Sequence, residues 1–316
     1  MLQKEKLQKI PAIALVGPTA IGKTSLSIDL AKEFNCEIIG VDSMQVYKYM
    51  DIGTAKITHE EMAGIPHHLI DVAFPDEEYD AARFVREASA AIETIAEKGK
   101  IPLLTGGTGL YLKALTQGLF AGVPEDEKIR AELNERLVKD GSSKLHEELT
   151  SCDEISAHRI HPNDTNRVIR GLEIYIASGI PWSEHIRIQS EQQQGSILEN
   201  ILQIGLTCDR KRLYERINLR TEIMLDSGLE KEVRSLLEMG YNENLNSMGS
   251  IGYRHMLNYI YDKWTFAEMQ ELLARDTRRY AKRQYTWFKK IDGLEWNQVT
   301  ETAKIKCRIE SWLKSR

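Results

Sequence analysis

The chain has 316 residues, with 42 lysines and arginines against 47 aspartates and glutamates and a formal net charge of −5. Hydrophobic residues make up 42% and charged residues 28%, which is typical of a soluble globular protein with one large domain or two smaller ones. No apolar run approaches the ~18 residues of a membrane helix, and the four cysteines form no C-x-x-C pair. We therefore expect a cytoplasmic protein with no membrane partner.

The first part of the chain alternates apolar strands with amphipathic helices. Strands that alternate with helices and are apolar throughout predict a parallel sheet covered on both faces. We expect strands at 12–16, 36–41, 67–72 and 101–105, and helices at 24–34 and 80–98. The predicted fold class is therefore α/β, with helices on both faces of a parallel sheet, and the run GPTAIGKT at 17–24 makes that sheet P-loop NTPase-like.

The pattern changes near residue 123 to polar, highly charged helices. Strand character returns at 201–207, ILQIGLT, so we expect an all-helical insertion domain at 123–199. A P-loop core domain would then comprise 1–122 and 200–316. After the last strand the sequence predicts helices at about 210–227 and 229–239, the loop SMGSIGYR, and a long basic helix at about 265–290.

The run GPTAIGKT at 17–24 fits the G-x-x-x-x-G-K-[ST] template of a phosphate-binding loop. A predicted strand precedes it and a predicted helix follows, so backbone N–H groups and the helix dipole can hold phosphate oxygens. Lys23 adds a point charge and Thr24 can bind Mg²⁺. ATP, GTP and an organic diphosphate all remain possible ligands. The loop residues expected to bind phosphate are Gly17, Pro18, Thr19, Ala20, Ile21, Gly22, Lys23 and Thr24.

The acid with which P-loop NTPases usually hold Mg²⁺ at the end of a later strand is missing. The strand IPLLT ends at Thr105 and two glycines, and the guanine signature N-K-x-D does not occur in the chain. Asp42 is the best-placed carboxylate, because it ends the second strand and parallel sheets bind ligands beyond their strand ends. Asp42 could act as a base or near a metal, or it could only cap a turn.

A basic segment with interleaved aromatic residues, ARDTRRYAKRQYTWFKK, occupies 274–290. It has seven lysines and arginines against one aspartate, and five of the basic residues follow helical spacing. Such a face suits a nucleic-acid backbone, whereas a solvated helix with core aromatics is the alternative. The five residues are Arg275, Arg278, Arg279, Lys282 and Arg283, and smaller basic pairs are Arg167 with Arg170 and Arg216 with Arg220.

The chain resembles the bacterial tRNA dimethylallyltransferases over almost its whole length. The motifs that carry the resemblance occur in order: GPTAIGKT, DSMQVYKYMDIGTAK (42–56), PHHLIDV (66–72), GGTGLY (106–111), NRVIRGLEIY (166–175), LYERINLRTEIMLDSGLEKEV (213–233), GSIGYR (249–254) and RRYAKRQYTWF (278–288). The resemblance implies transfer of a dimethylallyl group from its diphosphate to N6 of the adenosine just 3′ of the anticodon, position 37. It also implies Mg²⁺, a tRNA anticodon stem-loop as partner, and an insertion that swivels on tRNA. No protein partner is evident, so we expect a monomer.

The resemblance also assigns roles to residues that match the motifs. Asp42 would accept or orient the N6 proton, Lys23 and Thr24 would hold the diphosphate, and Arg220 would reach it from the other side. The residues that the resemblance places in contact with tRNA are Asp42, Ser43, Met44, Gln45, Thr108, Arg130, Asn166, Arg167, Val168, Ile169, Arg170, Gly249, Ser250, Ile251, Gly252, Tyr253 and Arg254. From the basic segment we also expect tRNA contacts by Arg279 and Arg283.

Two other functions share part of this pattern. A small-molecule or nucleotide kinase would have the loop and the parallel core, but it leaves the basic helix without a purpose. A non-catalytic, ATP-gated RNA-binding protein would have the basic surface, but it leaves Asp42 and Arg220 without a task.

Overall fold

The computed structural model describes residues 9–118, 123–191 and 197–315. The chain divides into two compact units, one of Met1–Gln117 with Ser196–Arg316 and the other of Gly118–Gly195. We call them the core unit and the inserted unit. Among the described helices, none is both long and apolar enough to cross a membrane.

A parallel six-stranded sheet forms the centre of the core unit. Its strands are β1 (Ile13–Val16), β2 (Cys36–Val41), β3 (His67–His68), β4 (Ile101–Gly106), β5 (Leu202–Thr207) and β6 (Glu295–Gln298), in the order β3-β2-β4-β1-β5-β6. Gly106 at the end of β4 pairs in register with both Val16 and Val41. The carboxyl ends of β1, β2 and β4 therefore lie side by side, which brings the loops after these strands together.

Thirteen helices accompany the sheet in the described residues. In the core unit they are α1 (Lys23–Glu33), α2 (Ala81–Glu97), α3 (Gly109–Gln117), α9 (Arg210–Asp226), α10 (Leu229–Glu238), α11 (Tyr253–Ile260), α12 (Phe266–Phe288) and α13 (Thr302–Lys314). In the inserted unit they are α4 (Glu127–Asp140), α5 (Ser142–Cys152), α6 (Glu154–Arg159), α7 (Thr165–Ser178) and α8 (Trp182–Glu191). The predicted α/β fold with a helix-covered parallel sheet is confirmed.

The two faces of the sheet bury separate hydrophobic clusters. Leu104 of β4 belongs to one cluster, whereas its neighbour Leu103 belongs to the other. The first cluster also contains Phe84 of α2, and the second contains Leu30 of α1. Because successive strand residues point to opposite faces, a strand covered on both sides is apolar at every position. This burial explains the continuous apolar runs of the sequence.

The expected strand at 67–72 is wrong beyond its first two residues. β3 spans only His67–His68, and Leu69 and Asp71 have φ values of 61° and 57°. Such left-handed residues break an extended strand, so the chain turns away from the sheet immediately after His68.

The predicted loop SMGSIGYR is also shorter than expected, and it ends at Gly252. Tyr253 opens helix α11, where its ring is buried. The sequence analysis did not predict α11, or β6 and α13 at the end of the chain. The strand β6 reads EWNQ and is an edge strand, so it lacks the continuous apolar run of the inner strands.

The inserted unit has its own small core. Leu133 of α4, Leu149 of α5 and Leu172 of α7 are each at most 1% exposed. Gly171 allows close packing of α7, because a Cβ there would lie 2.8 Å from Leu149 Cδ1. The glycine therefore brings two helices into contact around a leucine-rich centre.

Candidate active site

The phosphate-binding loop has the backbone that its template requires. Gly22 precedes α1 with φ of 106°, a left-handed conformation that favours glycine. A Cβ on Gly17 would lie 2.9 Å from the carbonyl oxygen of Leu206, which belongs to the neighbouring strand β5. Both template glycines are therefore explained by local geometry, and the first turn of α1 directs its free N–H groups toward the loop.

Lys23 folds back over its own loop. Its Nζ donates to the carbonyl oxygens of Gly17 at 2.9 Å and Pro18 at 2.8 Å. Burial lowers the pKa of Lys23 to about 7, a shift that the Asp42 carboxylate opposes and the Arg220 guanidinium reinforces. The lysine is therefore poised to change charge near neutral pH, and a bound anion would favour its protonated form.

A cavity of about 730 Å³ opens beside this loop. Its volume falls within the range of small-molecule sites. The wall is made of loop residues, the turn after β2, helix α9, the segment before α11 and helix α12. The residues that we expected in the site and that line it are Thr19, Ala20, Gly22, Lys23, Thr24, Asp42, Ser43, Met44, Gln45, Arg220, Gly249, Ser250, Ile251, Arg254 and Arg283.

Asp42 combines a turn-capping role with a place on the cavity wall. Its Oδ1 accepts hydrogen bonds from the backbone N–H groups of Met44 at 2.9 Å and Gln45 at 3.3 Å. Within the described residues no donor reaches Oδ2. One carboxylate oxygen thus fixes the side chain while the other is left for chemistry, so the capping and chemical interpretations are compatible.

Arg220 reaches the same cavity from helix α9. Burial lowers its pKa, and Asp42 acts in the opposite direction. One turn earlier on α9, Arg216 donates its Nε–H to the carbonyl oxygen of Ala20 at 2.7 Å. Two arginines therefore face the phosphate-binding loop from α9, and sequence reasoning gave Arg216 no role beyond a basic pair.

Thr108 and Tyr280 complete the surroundings of Asp42. Thr108 Oγ1 accepts the backbone N–H of Ser43 at 3.0 Å, which ties the loop after β4 to the turn after β2. Burial, and then the nearby Asp42 carboxylate, raise the pKa of the Tyr280 phenol. Tyr280 lines the cavity but was missed as a site residue, although it precedes Gln284 by four positions on one helical face.

Two glycines of GGTGLY, Gly107 and Gly109, form a docking surface for helix α12, whereas Gly106 lies against strand β2. A Cβ on Gly107 would lie 2.2 Å from Gln284 Nε2, and one on Gly109 would lie 2.0 Å from the Trp287 ring. A Cβ on Gly106 would meet the Val41 carbonyl oxygen at 2.0 Å. Each glycine therefore permits a close approach that any other residue would block.

Gly252 and Tyr253 take part in packing, so contact of these two residues with RNA stays a prediction that their backbone alone could serve. The Tyr253 side chain is fully buried, and its hydroxyl donates to Glu232 at 2.6 Å. A Cβ on Gly252 would lie 3.3 Å from the carbonyl oxygen of Gly53. Their neighbours Gly249, Ser250, Ile251 and Arg254 line the cavity instead.

The residues of the inserted unit that were predicted to contact RNA fall into an exposed group and a buried group. Asn166 and Arg167 are exposed near the start of α7, whereas Val168 and Ile169 lie in the core of the unit. The Val168 and Ile169 side chains therefore pack inward, and contact of this stretch with RNA stays a prediction for which Asn166 and Arg167 offer exposed side chains. A helix that begins at the surface must turn every third or fourth side chain inward, and Val168 and Ile169 fill that stripe.

Arg130 and Arg170 converge on one buried carboxylate. Glu173 is fully buried and accepts from Arg170 at 2.8 Å and from Arg130 at 3.1 Å. Arg130 also pairs with Glu125. Buried charges need partners, so part of each guanidinium stabilises the inserted unit and only the remainder can bind phosphate.

The basic residues of α12 differ in their hydrogen-bond partners and in their access to the cavity. Asp276 accepts from Arg275 at 3.1 Å, from Arg279 at 3.4 Å and from Arg254 of α11 at 2.8 Å. Arg283 instead lines the cavity. The single aspartate of the segment therefore gathers three arginines, which sets their positions before any polyanion arrives.

The residues that could accompany a magnesium ion are few. Within the described residues no group of three or more His, Cys, Asp or Glu side chains could hold a metal. Thr24 and Asp42 both line the cavity. Mg²⁺ commonly binds through one or two protein oxygens together with substrate phosphates and water, so these residues fit an ion that arrives with a diphosphate.

Comparison with known proteins identifies the family. The sequence model of IPP transferase matches residues 45–291. The chain belongs to the IPP transferase family. It is therefore a transferase, and the resemblance seen in its motifs is confirmed.

Curated relatives and solved structures agree over nearly the whole chain. A tRNA dimethylallyltransferase of Desulfotalea psychrophila is 54% identical over 99% of this chain and 98% of its own. The full-length tRNA isopentenylpyrophosphate transferase of Bacillus halodurans has a TM-score of 0.71 at 40% identity, covering 98% and 97%. A eukaryotic dimethylallyltransferase acting on tRNA has a TM-score of 0.76 at 33% identity, covering 92% of this chain and 74% of that one. These names do not favour the kinase alternative.

Lys23 predicts a pH dependence of donor affinity. The free loop loses the lysine proton as pH rises through about 7, whereas bound diphosphate requires the charged form. The KM for the diphosphate donor should therefore rise with pH between about 7 and 9, by at most about tenfold per unit. Steady-state kinetics at saturating RNA measure this. Lys23→Arg should flatten the profile because its guanidinium stays charged, and a pH-independent wild-type KM would contradict the assignment.

Proposed function

We propose that this chain transfers a dimethylallyl group from dimethylallyl diphosphate to N6 of adenosine 37 of tRNA, with release of diphosphate. One observation carries the proposal. The phosphate-binding loop and Asp42 open into the same cavity, and arginines of α9 and α12 border it. A phosphate group and a nucleophile that needs a base can therefore meet in one place.

The loop and Arg220 would stabilise the leaving group. Negative charge grows on the diphosphate as the allylic C–O bond breaks, so fixed positive groups around it lower the barrier. Lys23 and the N–H groups at the start of α1 approach from one side, and Arg220 lines the same cavity from α9. Diphosphate binding would also draw Lys23 away from its contacts with the Gly17 and Pro18 carbonyl oxygens.

Asp42 would assist the nucleophile. The exocyclic amine of adenine is weakly nucleophilic because its lone pair is delocalised into the ring, and a positioned base contributes on the order of 10²–10⁴-fold. Asp42 is held by the Met44 and Gln45 amides through Oδ1, which leaves Oδ2 to accept the N6 proton. The resemblance places Ser43, Met44 and Gln45 along the base, and all three line the cavity.

Mg²⁺ fits this arrangement as a companion of the donor. Thr24 would hold it together with diphosphate oxygens, and the ion would supply additional positive charge for the leaving group. The phosphate-binding loop would bind the diphosphate, Arg220 would orient it, and Asp42 would take the N6 proton.

The tRNA anticodon stem-loop would lie against exposed basic residues. Arg279 and Arg283 on α12 and Arg254 on α11 are exposed in the core unit, and Asn166 and Arg167 are exposed in the inserted unit. A base stacked in an RNA loop must be extruded to reach a cavity, and proteins read RNA sequence mostly in such loops.

The transfer itself is tested with labelled dimethylallyl diphosphate, unmodified tRNA and Mg²⁺, in the absence of ATP. Label should enter the tRNA and should be found on N6 of adenosine 37. Absence of transfer, together with phosphoryl transfer when ATP is supplied, would contradict the proposal and support a kinase.

Asp42→Asn separates chemistry from structure, because asparagine keeps an oxygen for the Met44 and Gln45 amides. We expect kcat to fall by roughly 10²-fold or more, as loss of a general base predicts. Binding of tRNA and the melting temperature should stay unchanged. The matched control is Asp29→Asn on the exposed face of α1. Wild-type kcat in Asp42→Asn would remove Asp42 from the mechanism.

Replacing Arg279 and Arg283 together with glutamine should weaken tRNA binding and flatten its dependence on salt. Each lost phosphate contact lowers the slope of log K against log salt by about 0.7–0.9. The control replaces Lys289 and Lys290, which are exposed at the end of the same helix and carry the same charge. Equal loss in both variants would show that only overall charge matters.

A further inference from the structure

Gln284 is a buried amide on a helix that is otherwise strongly basic. It is 5% exposed, and both ends of its side chain are hydrogen bonded. Its Oε1 accepts the backbone N–H of Thr19 at 2.9 Å, and its Nε2 donates to the carbonyl oxygen of Gly107 at 3.0 Å. One side chain of α12 therefore bridges the phosphate-binding loop and the loop after β4.

The hydrogen bond to Thr19 matters because that N–H belongs to the phosphate-binding loop. A phosphate-binding loop works through the directions of its backbone N–H groups, so a partner that fixes one amide also fixes the shape of the loop. Within the described residues Gln284 is the one side chain that accepts a hydrogen bond from an N–H of residues 17–22. The loop is thus positioned from outside its own strand and helix.

The same turns of α12 also reach the other parts of the site. Tyr280 lies one turn before Gln284 and lines the cavity together with Asp42. Arg283, the residue directly before Gln284, also lines the cavity. Arg279 is exposed and held by Asp276. A helix segment of six residues therefore combines the link to the diphosphate loop with two arginines that are available to RNA.

We infer that Gln284 is a positioning residue that couples the two substrates, so that tRNA bound to α12 and diphosphate bound to the loop raise each other's affinity. RNA held by Arg279 and Arg283 restrains the helix turn that carries Gln284, and Gln284 fixes the backbone of the phosphate-binding loop by accepting the Thr19 N–H, so that the other loop amides keep their directions. Coupling between two sites is reciprocal, so each ligand strengthens the other by the same factor. This inference rests on the proposed function for the identity of the RNA.

The test measures pyrophosphate binding by calorimetry, with and without an unmodified tRNA anticodon stem-loop. Pyrophosphate cannot react, so binding is separated from turnover. Wild-type protein should bind it roughly five-fold or more tightly when RNA is present, the lower end of usual coupling. Kinetic assays with dimethylallyl diphosphate add the split between KM and kcat.

Two variants break the link from opposite sides. Gln284→Met keeps the side-chain length but removes both hydrogen bonds. Gly107→Ala keeps a glutamine at position 284 but adds a Cβ 2.2 Å from its Nε2, which displaces the side-chain amide. The control is Thr286→Ala on the exposed side of the same helix, which should behave as wild type.

In both variants the ratio of pyrophosphate affinities with and without RNA should fall to about one, which means no coupling. The donor KM should rise more than kcat falls, and RNA affinity without pyrophosphate should stay unchanged. A wild-type ratio of one, or a folded Gln284→Met or Gly107→Ala protein that keeps the wild-type ratio, would overturn the inference. Failure of the wild type to alkylate tRNA would overturn the proposed function instead, because the binding ratio needs no transfer.

Discussion

The site depends on the close docking of helix α12 against the two loops that follow the carboxyl ends of β1 and β4. Gln284 bridges Thr19 and Gly107, and Trp287 packs where only a glycine at position 109 leaves room. This contact brings a basic helix to the carboxyl ends of β1 and β4, where a parallel sheet places its ligands. Without it the phosphate-binding loop would be present, but the basic residues of α12 would not border the cavity.

The same geometry explains how a familiar loop can serve an unfamiliar reaction. Lys23, the loop amides and Arg220 can hold phosphate oxygens whatever the attached group is. What happens to the attached group depends on the residues around the loop. The strand β4 ends at Thr105 rather than at an acid, and Asp42 stands at the end of β2 beside the cavity. In the proposed reaction Asp42 would act near the organic end of the diphosphate, whereas the end of β4 offers no acid that could hold the Mg²⁺ of ATP.

The sequence predicted most of the sheet, the phosphate-binding loop and part of the cavity because their signals are local. Continuous apolar runs indicate strands buried on both faces, and the loop template fixes Gly17 and Gly22. The burial of Val168, Ile169 and Tyr253 could not be predicted in this way, because spacing within a motif does not show which side chains pack inward. Gln284 and Tyr280 were missed for a related reason: their partners are far away in sequence. Only the fold shows that the glycines of GGTGLY admit a helix.

The proposed reaction releases the phosphate held in this loop and transfers carbon. It is tested most directly with dimethylallyl diphosphate that carries ¹⁸O at the bridging position between carbon and phosphorus. If the C–O bond breaks, all of the label should appear in the released diphosphate while the tRNA gains a dimethylallyl group, and mass spectrometry detects both products. Label in a prenyl alcohol, or phosphate attached to the tRNA, would mean P–O cleavage and would contradict the account.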